Sequence, residues 1–152
     1  MIRIESISKK HYEAAINLVL SVFMQYEACD YSKEGINTFK AFISNPESTD
    51  SLEFNGAYIN NEIIGVIATR NNGNHIALFF VDGRYHRQGI GRKLFQVVLE
   101  KSTGNKITVN SSPYAVEIYK KLGFTADTDE QIKEGIRFTP MTYTKFIPWL
   151  NY

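Results

Sequence analysis

Between Tyr85 and Phe95 the chain reads Tyr-His-Arg-Gln-Gly-Ile-Gly-Arg-Lys-Leu-Phe, a spacing of glycines and bases suited to holding a phosphate. The apolar run Ile76-Ala77-Leu78-Phe79-Phe80-Val81 precedes it. A helical pattern follows, with apolar residues at Ile90, Leu94, Phe95, Val97, Val98 and Leu99. The predicted order is strand, basic turn, helix. A helix N-terminus carries unpaired N–H groups and about +0.5 of an elementary charge, which attracts an anion. Gly89 and Gly91 have no side chains to keep that anion off the backbone. Backbone N–H groups from Gln88 to Arg92 could converge on a diphosphate, each hydrogen bond to a charged group contributing about 1.5–3 kcal/mol. Several such bonds offset much of the roughly 4–15 kcal/mol that association costs. Arg87, Arg92 and Lys93 add longer-range attraction.

Two familiar nucleotide loops do not fit this turn. A P-loop needs Lys and then Ser or Thr after its second glycine, whereas Gly91 is followed by Arg92 and Lys93. A dinucleotide fingerprint needs a third glycine where Leu94 stands, in a turn after the first strand of the fold. A plain basic turn that caps a helix is the competing reading.

The elements that must position this turn follow from periodicity and breaks. A strand is predicted over 2–7 and a helix over 9–27, capped by Ser8, with an apolar stripe of Ala15, Ile16, Val19, Val22, Phe23 and Tyr26. A second helix spans 32–44, and Asn45-Pro46 breaks the chain. Strands over 52–60 and 62–70 flank an Asn60-Asn61 hairpin turn. A strand over 75–81 leads into the basic turn and a helix over 89–101. Another strand covers 106–110, and Ser112-Pro113 opens a helix that ends at Gly123. Strands near 124–127 and 136–146 complete the pattern. No repeat or linker divides it, so residues 1–152 read as a single mixed α/β domain.

Composition narrows the classes of function. The 152 residues are 43% hydrophobic and 22% charged, which suits a globular chain and argues against long disorder. A net charge of +1 gives no reason to expect nucleic acid as a partner. No apolar run approaches the roughly 20 residues of a membrane helix. Met-Ile-Arg-Ile-Glu reads as a strand and not as a signal peptide, and one cysteine, Cys29, suits a reducing compartment. The expectation is a cytoplasmic protein without membrane or metal.

His86-Arg87-Gln88-Gly89-Ile90-Gly91 resembles the pyrophosphate motif of the GNAT superfamily of N-acetyltransferases, Arg/Gln-x-x-Gly-x-Gly/Ala, with His86 departing at the first position. Ala115-Val116-Glu117-Ile118-Tyr119-Lys120-Lys121-Leu122-Gly123-Phe124 is similar to the later helix of that family, Ala-x-x-x-Tyr-x-x-x-Gly-Phe. Ser112 stands where the family often has Asn seven residues before the Tyr. The resemblance covers nearly the whole chain. It implies an α/β (α+β) GNAT-like fold, a mixed, mostly antiparallel twisted sheet of about seven strands flanked by about four helices.

The same resemblance implies a chemistry. Acetyl-CoA, or another short acyl-CoA, would be the co-substrate, its pantetheine arm pairing with the backbone of Leu78, Phe79, Phe80 and Val81. A backbone N–H there would stabilise the acyl oxygen. Tyr119 would protonate the departing thiolate, and with a thiol pKa of about 8.5 against about 10 for Tyr a late proton transfer suffices. The attacking amine has a pKa of about 10.4 and is neutral only in a small fraction at pH 7, so a base is expected. The strand over 75–81 carries no acid and Asp82 lies at the turn, so His75, which opens the strand, is the favoured candidate, with Glu53 and Glu62 behind it. Glu27, Asp30, Tyr31 and Glu34 lie between the first two helices and could attract a cationic acceptor. Arg137 is set beside them as a carboxylate ligand or, more simply, a surface ion pair. Cys29 is expected to be at least half-buried, and Tyr143, Phe146 and Trp149 to pack a core or a dimer face.

The favoured function is acyl transfer to a primary amine, small-molecule or peptide, by direct attack in a ternary complex. A homodimer stays open as an assembly. A non-catalytic acyl-CoA-binding regulatory module is the alternative, and a nucleotide-diphosphate binder unrelated to CoA is a third.

Overall fold

The computed structural model describes residues 1–145. Phe146 and Trp149 lie outside the described residues. Eight strands form one sheet: β1 (Ile2–Ser6), β2 (Glu53–Ile59), β3 (Glu62–Arg70), β4 (His75–Val81), β5 (Lys106–Ser111), β6 (Thr125–Ala126), β7 (Gln131–Lys133) and β8 (Ile136–Thr144). Their spatial order is β1-β2-β3-β4-β5-β8-β6, with β7 paired to β8. Among the described residues only β4 and β5 pair in parallel. Five α-helices accompany them among the described residues: α1 (Tyr12–Val22), α2 (Lys33–Ser44), α3 (Pro46–Thr49), α4 (Ile90–Lys101) and α5 (Val116–Leu122).

The two faces of the sheet carry separate cores. Ala15, Val19 and Val22 of α1 pack with Phe54, Val66, Leu78 and Phe80 on one side. Ile90, Leu94, Phe95 and Val98 of α4 pack with Ile67, Ile76, Ile107 and Val109 on the other. Ile76 and Leu78 are two residues apart on β4, yet they face opposite cores. The reason is a bulge. Pairing with β3 joins Thr69 to Ile76 and Ala68 to Leu78, so Ala77 is an extra residue in β4. A bulge bends its strand and sharpens the twist. Beyond it β4 leaves its parallel neighbour, and pairing with β5 stops after His75↔Thr108 and Ile76↔Val109. The edge of β4 from Leu78 to Val81 is open toward β5.

The mixed, mostly antiparallel α/β fold is the one expected, and its details differ from the sequence reading in several places. Eight strands replace about seven because Glu134 (φ 52°) and Gly135 (φ 80°) make a tight turn that pairs the short β7 with β8. Five helices replace about four because the break at Asn45-Pro46 is itself a helical turn, with the Asn45 side chain accepting from the Glu47 N–H. The continuous helix over 9–27 is composite. A 3₁₀ turn (Lys9–His11) precedes α1, and a turn of π-helix (Phe23–Glu27) and a second 3₁₀ turn (Ala28–Asp30) follow it. Ser8 caps no N–H and instead bonds the His11 ring. The helix predicted from Ser112 begins at Val116, because the Ser112 hydroxyl accepts from the Ala115 N–H and closes a turn first.

Candidate active site

The splay between β4 and β5 opens a groove of about 700 Å³. One wall is Phe79, Phe80 and Val81 of β4, and the other is Ala115, Ile118, Tyr119 and Leu122 from the start of α5 onward. The basic turn forms one end, and Val22, Tyr26 and Glu27 from the close of the first helix overlook the groove. Strand hydrogen-bonding groups left unpaired at such an edge must find partners elsewhere, and an extended amide-bearing arm supplies them.

At the turn, Arg87 (φ 63°) and Gly89 (φ 81°) both take left-handed backbone. Gly89 caps α4 and has open space where a side chain would project. Left-handed residues in a turn make concavities of N–H groups, and the first N–H groups of α4 have no partner within the helix. Arg87, Arg92 and Lys121 bring positive charge to this end. Arg92 also donates to the Lys121 carbonyl at 3.3 Å, tying α4 to α5. His86 bonds the Val81 carbonyl through Nε2 at 2.7 Å, and Tyr26 packs against its ring at 4.9 Å. In this chain the first motif position fastens the turn to the end of β4.

The residues singled out from sequence do not all meet here. Phe79, Phe80, Val81, His86, Arg87, Gly89, Ile90, Gly91, Arg92, Tyr119 and Glu27 line the groove, whereas Leu78 points into the α1 core. Gln88 is exposed and donates to the Arg84 carbonyl at 3.4 Å. Ser112 stands at the Glu27 carboxylate and beside the Tyr31 hydroxyl. Glu34 is exposed on α2. His75 is at the opposite end of β4, about 13 Å of strand from Phe79. Its Nδ1 bonds Thr108 Oγ1 at 2.7 Å, and burial, with Arg70 adding, pulls it down to about 4.

The acids on and beside the central strands also lie outside the groove. Asp82 accepts from Arg84, which holds its carboxyl below the usual range, and Glu62 accepts from the same guanidinium at 3.1 Å. Glu53 is exposed at the start of β2. Arg137 pairs with Glu130 at 3.0 Å and donates to the Asp30 carbonyl at 2.9 Å, so the ion-pair reading holds. Cys29 is exposed, a correction that follows from the 3₁₀ turn replacing helix at that point.

Two groups give the groove its chemistry. Tyr119 is 5% exposed, with its ring 5.9 Å from Phe79 and 5.2 Å from Phe124. Burial, with Glu27 adding, raises its hydroxyl far above the usual Tyr range, so it stays protonated. Glu27 is 8% exposed, and burial pushes its carboxyl up to about 7 against the opposing hydrogen bond from Ser112, with Asp30 adding to the rise. Sequence reasoning missed Val22, Tyr26, Tyr114 and Ile118 as groove residues. Val22 and Tyr26 read as core stripe, and no spacing marks Tyr114, five residues before Tyr119, or Ile118, next to it.

Residues 27–145 match the family model for the Acetyltransferase (GNAT) domain. The chain belongs to that family. Among solved structures, it superposes on a GCN5-related N-acetyltransferase from Rhodopseudomonas palustris with a TM-score of 0.81 at 17% identity, covering 93% of this chain and 94% of that one. The PaiA N-acetyltransferase of Thermoplasma acidophilum, solved in complex with coenzyme A, gives 0.68 at 21% identity over 95% and 99% of the two chains. The ribosomal-protein-S18-alanine N-acetyltransferase of Escherichia coli gives 0.64 at 19% identity over 100% and 99%. No curated protein sequence matches the chain. Among the described residues no helix is long and apolar enough to cross a membrane, and no three His, Cys, Asp or Glu side chains are grouped to hold a metal.

Proposed function

We infer that the protein transfers an acetyl or other short acyl group from acyl-CoA to a primary amine, by direct attack in a ternary complex. The observation that carries this reading is the open edge of β4 running into the left-handed turn at Arg87 and Gly89, with Tyr119 opposite. The turn would hold the diphosphate, and the open edge would pair with the pantetheine arm. This arrangement would leave the thioester near Phe79 and Phe80, between the strand edge and Tyr119. A backbone N–H of the strand would then stabilise the oxygen as it gains charge.

Tyr119 would donate its proton to the sulfur as the C–S bond breaks. Burial keeps the tyrosine protonated and able to hydrogen-bond the sulfur as charge develops, and because the same rise makes it a weaker acid than the thiol, the proton passes late, as the C–S bond breaks. The acyl group would pass straight to the amine. Cys29 is exposed on the 3₁₀ turn after Glu27 and is absent from the groove lining. A passive acyl-CoA-binding module needs neither the buried tyrosine nor a carboxyl poised near neutrality, so both favour the transferase.

The test incubates the protein with acetyl-CoA and a panel of primary amines, following thiol release and product mass. Putrescine, lysine amide and a short peptide with a free N-terminus make up the panel. Amine-dependent thiol release with an acetylated product supports the reading. Saturable acetyl-CoA binding without transfer to any of them would favour the binding module.

A further inference from the structure

We propose that Glu27, at the close of the π-helical turn, is the catalytic base that takes the proton from the attacking amine nitrogen. This rests on the transferase reading above and names a group that reading leaves open. The bases suggested by sequence on the strands lie outside the groove or are held by Arg84. Among the described residues that line the groove, Glu27 carries the sole carboxyl and His86 the sole imidazole. The His86 Nε2 is engaged by the Val81 carbonyl at the diphosphate end. Glu27 instead overlooks the stretch between Phe80 and Tyr119, where the thioester would lie.

The backbone explains how an acid comes to sit there. Along α1 the buried positions Ala15, Val19 and Val22 follow the α-helical period, which would next bury Tyr26. In the turn that follows, wound as π-helix over Phe23–Glu27, Phe23 and Glu27 are buried while Tyr26 is only half-buried. Phe23 anchors this turn by stacking on Phe39 at 4.0 Å and on Tyr31 at 5.5 Å.

The surroundings keep the carboxyl responsive. Asp30 and Tyr31 face it from the following turn, Ser112 and Tyr114 from the segment before α5, and Tyr119 from α5. Arg137 of β8 reaches Asp30 and Tyr31, and Arg87 reaches Tyr114. Burial outweighs the Ser112 hydrogen bond and raises the carboxyl to about 7, where a base works well at neutral pH.

The step balances as follows. The neutral amine attacks the thioester carbonyl and forms the N–C bond, and its nitrogen gives a proton to the Glu27 carboxylate. The C–S bond breaks, and the sulfur takes the Tyr119 proton to leave as the free thiol of CoA. Glu27 then returns its proton to the Tyr119 phenolate, and both groups are restored.

The test compares wild type with Glu27→Gln, using acetyl-CoA and the same three amines from pH 5.5 to 9.5. Calorimetric titration with acetyl-CoA reports whether the variant keeps its groove. The expected result is acetyl-CoA affinity within about twofold of wild type and kcat/KM lower by about 10²–10⁴-fold. The wild-type profile rises through an ionisation near 7, and the variant lacks that ionisation and shows only the amine's own. A variant within threefold of wild type, or one uniformly slower with the ionisation intact, overturns Glu27 as the base and leaves the transferase standing. A wild type that binds acetyl-CoA and transfers to no amine overturns both.

Discussion

Tyr119 lies on a short helix, sealed between Phe79 and Phe124, and its hydroxyl meets a groove that also holds a buried carboxyl. Replacing it with Phe removes one oxygen and leaves the packing in place. Tyr119→Phe therefore lowers kcat by about 10²–10⁴-fold while acetyl-CoA affinity changes little. Turnover with the best amine, set beside calorimetric affinity, checks this, and unchanged turnover takes Tyr119 out of the mechanism. At this scale the sequence was most legible where chemistry depends on backbone. Gly89 and Gly91 marked a turn that the structure builds with left-handed residues. Side-chain roles set by tertiary neighbours were not legible. Nothing local distinguishes His75, neutral and bonded to Thr108, from a base, because its surroundings come from Arg70 and β5.

Elements decide where those side chains point. Helix types were readable from periodicity because α2 and α4 are regular. The two departures that shape the groove were not. The extra residue at Ala77 turns Ile76 and Leu78 to opposite cores, and the run Ile76–Val81 is apolar throughout, so no polar position betrays the change of phase. The π turn likewise leaves no pattern, since Phe23 and Tyr26 fit either winding.

A third element, the β7–β8 hairpin, packs on α2. The turn between β7 and β8 lies against the start of α2, where a Cβ on Gly35 would run into the Gly135 carbonyl, and Thr38 donates to the Glu134 carbonyl at 2.8 Å. Gly35→Ala must push these backbones apart, at about 1–3 kcal/mol by analogy with overpacked cores. In a chain of this size that corresponds to roughly 2–4 °C in Tm per kcal/mol. Thermal unfolding measures it, and an unchanged Tm would mean the hairpin is not packed on α2 as described.

For the molecule as a whole, the buried carboxyl carries a cost that pH reveals. Glu27 has an ordinary value of 4.5 and a folded value of about 7. The folded state therefore binds the extra proton between those values, and stability from this group falls as pH rises through that window. The loss reaches about 3 kcal/mol above pH 7, at 1.36 kcal/mol per pKa unit. His75 acts in the opposite sense, since its depressed value costs stability as pH falls from 6.5 toward 4. Comparing Glu27→Gln with wild type cancels the His75 contribution. The variant gains Tm at pH 8 and gains little at pH 4.5, and an equal effect at both would deny that the carboxyl is strained by burial. A residue that lowers stability at working pH and lines the groove fits the trade of stability for function.

The measurement that bears most directly on the whole account is a calorimetric titration of the wild-type protein with acetyl-CoA, with ADP as the comparison ligand. The groove joins the left-handed turn at Arg87 and Gly89 to an open strand edge, so acetyl-CoA should bind in the micromolar range and clearly more tightly than ADP. Equal affinity for the two would deny the strand edge any part in binding. No heat with acetyl-CoA from folded protein would contradict the acyl-CoA site, and the transferase reading would go with it.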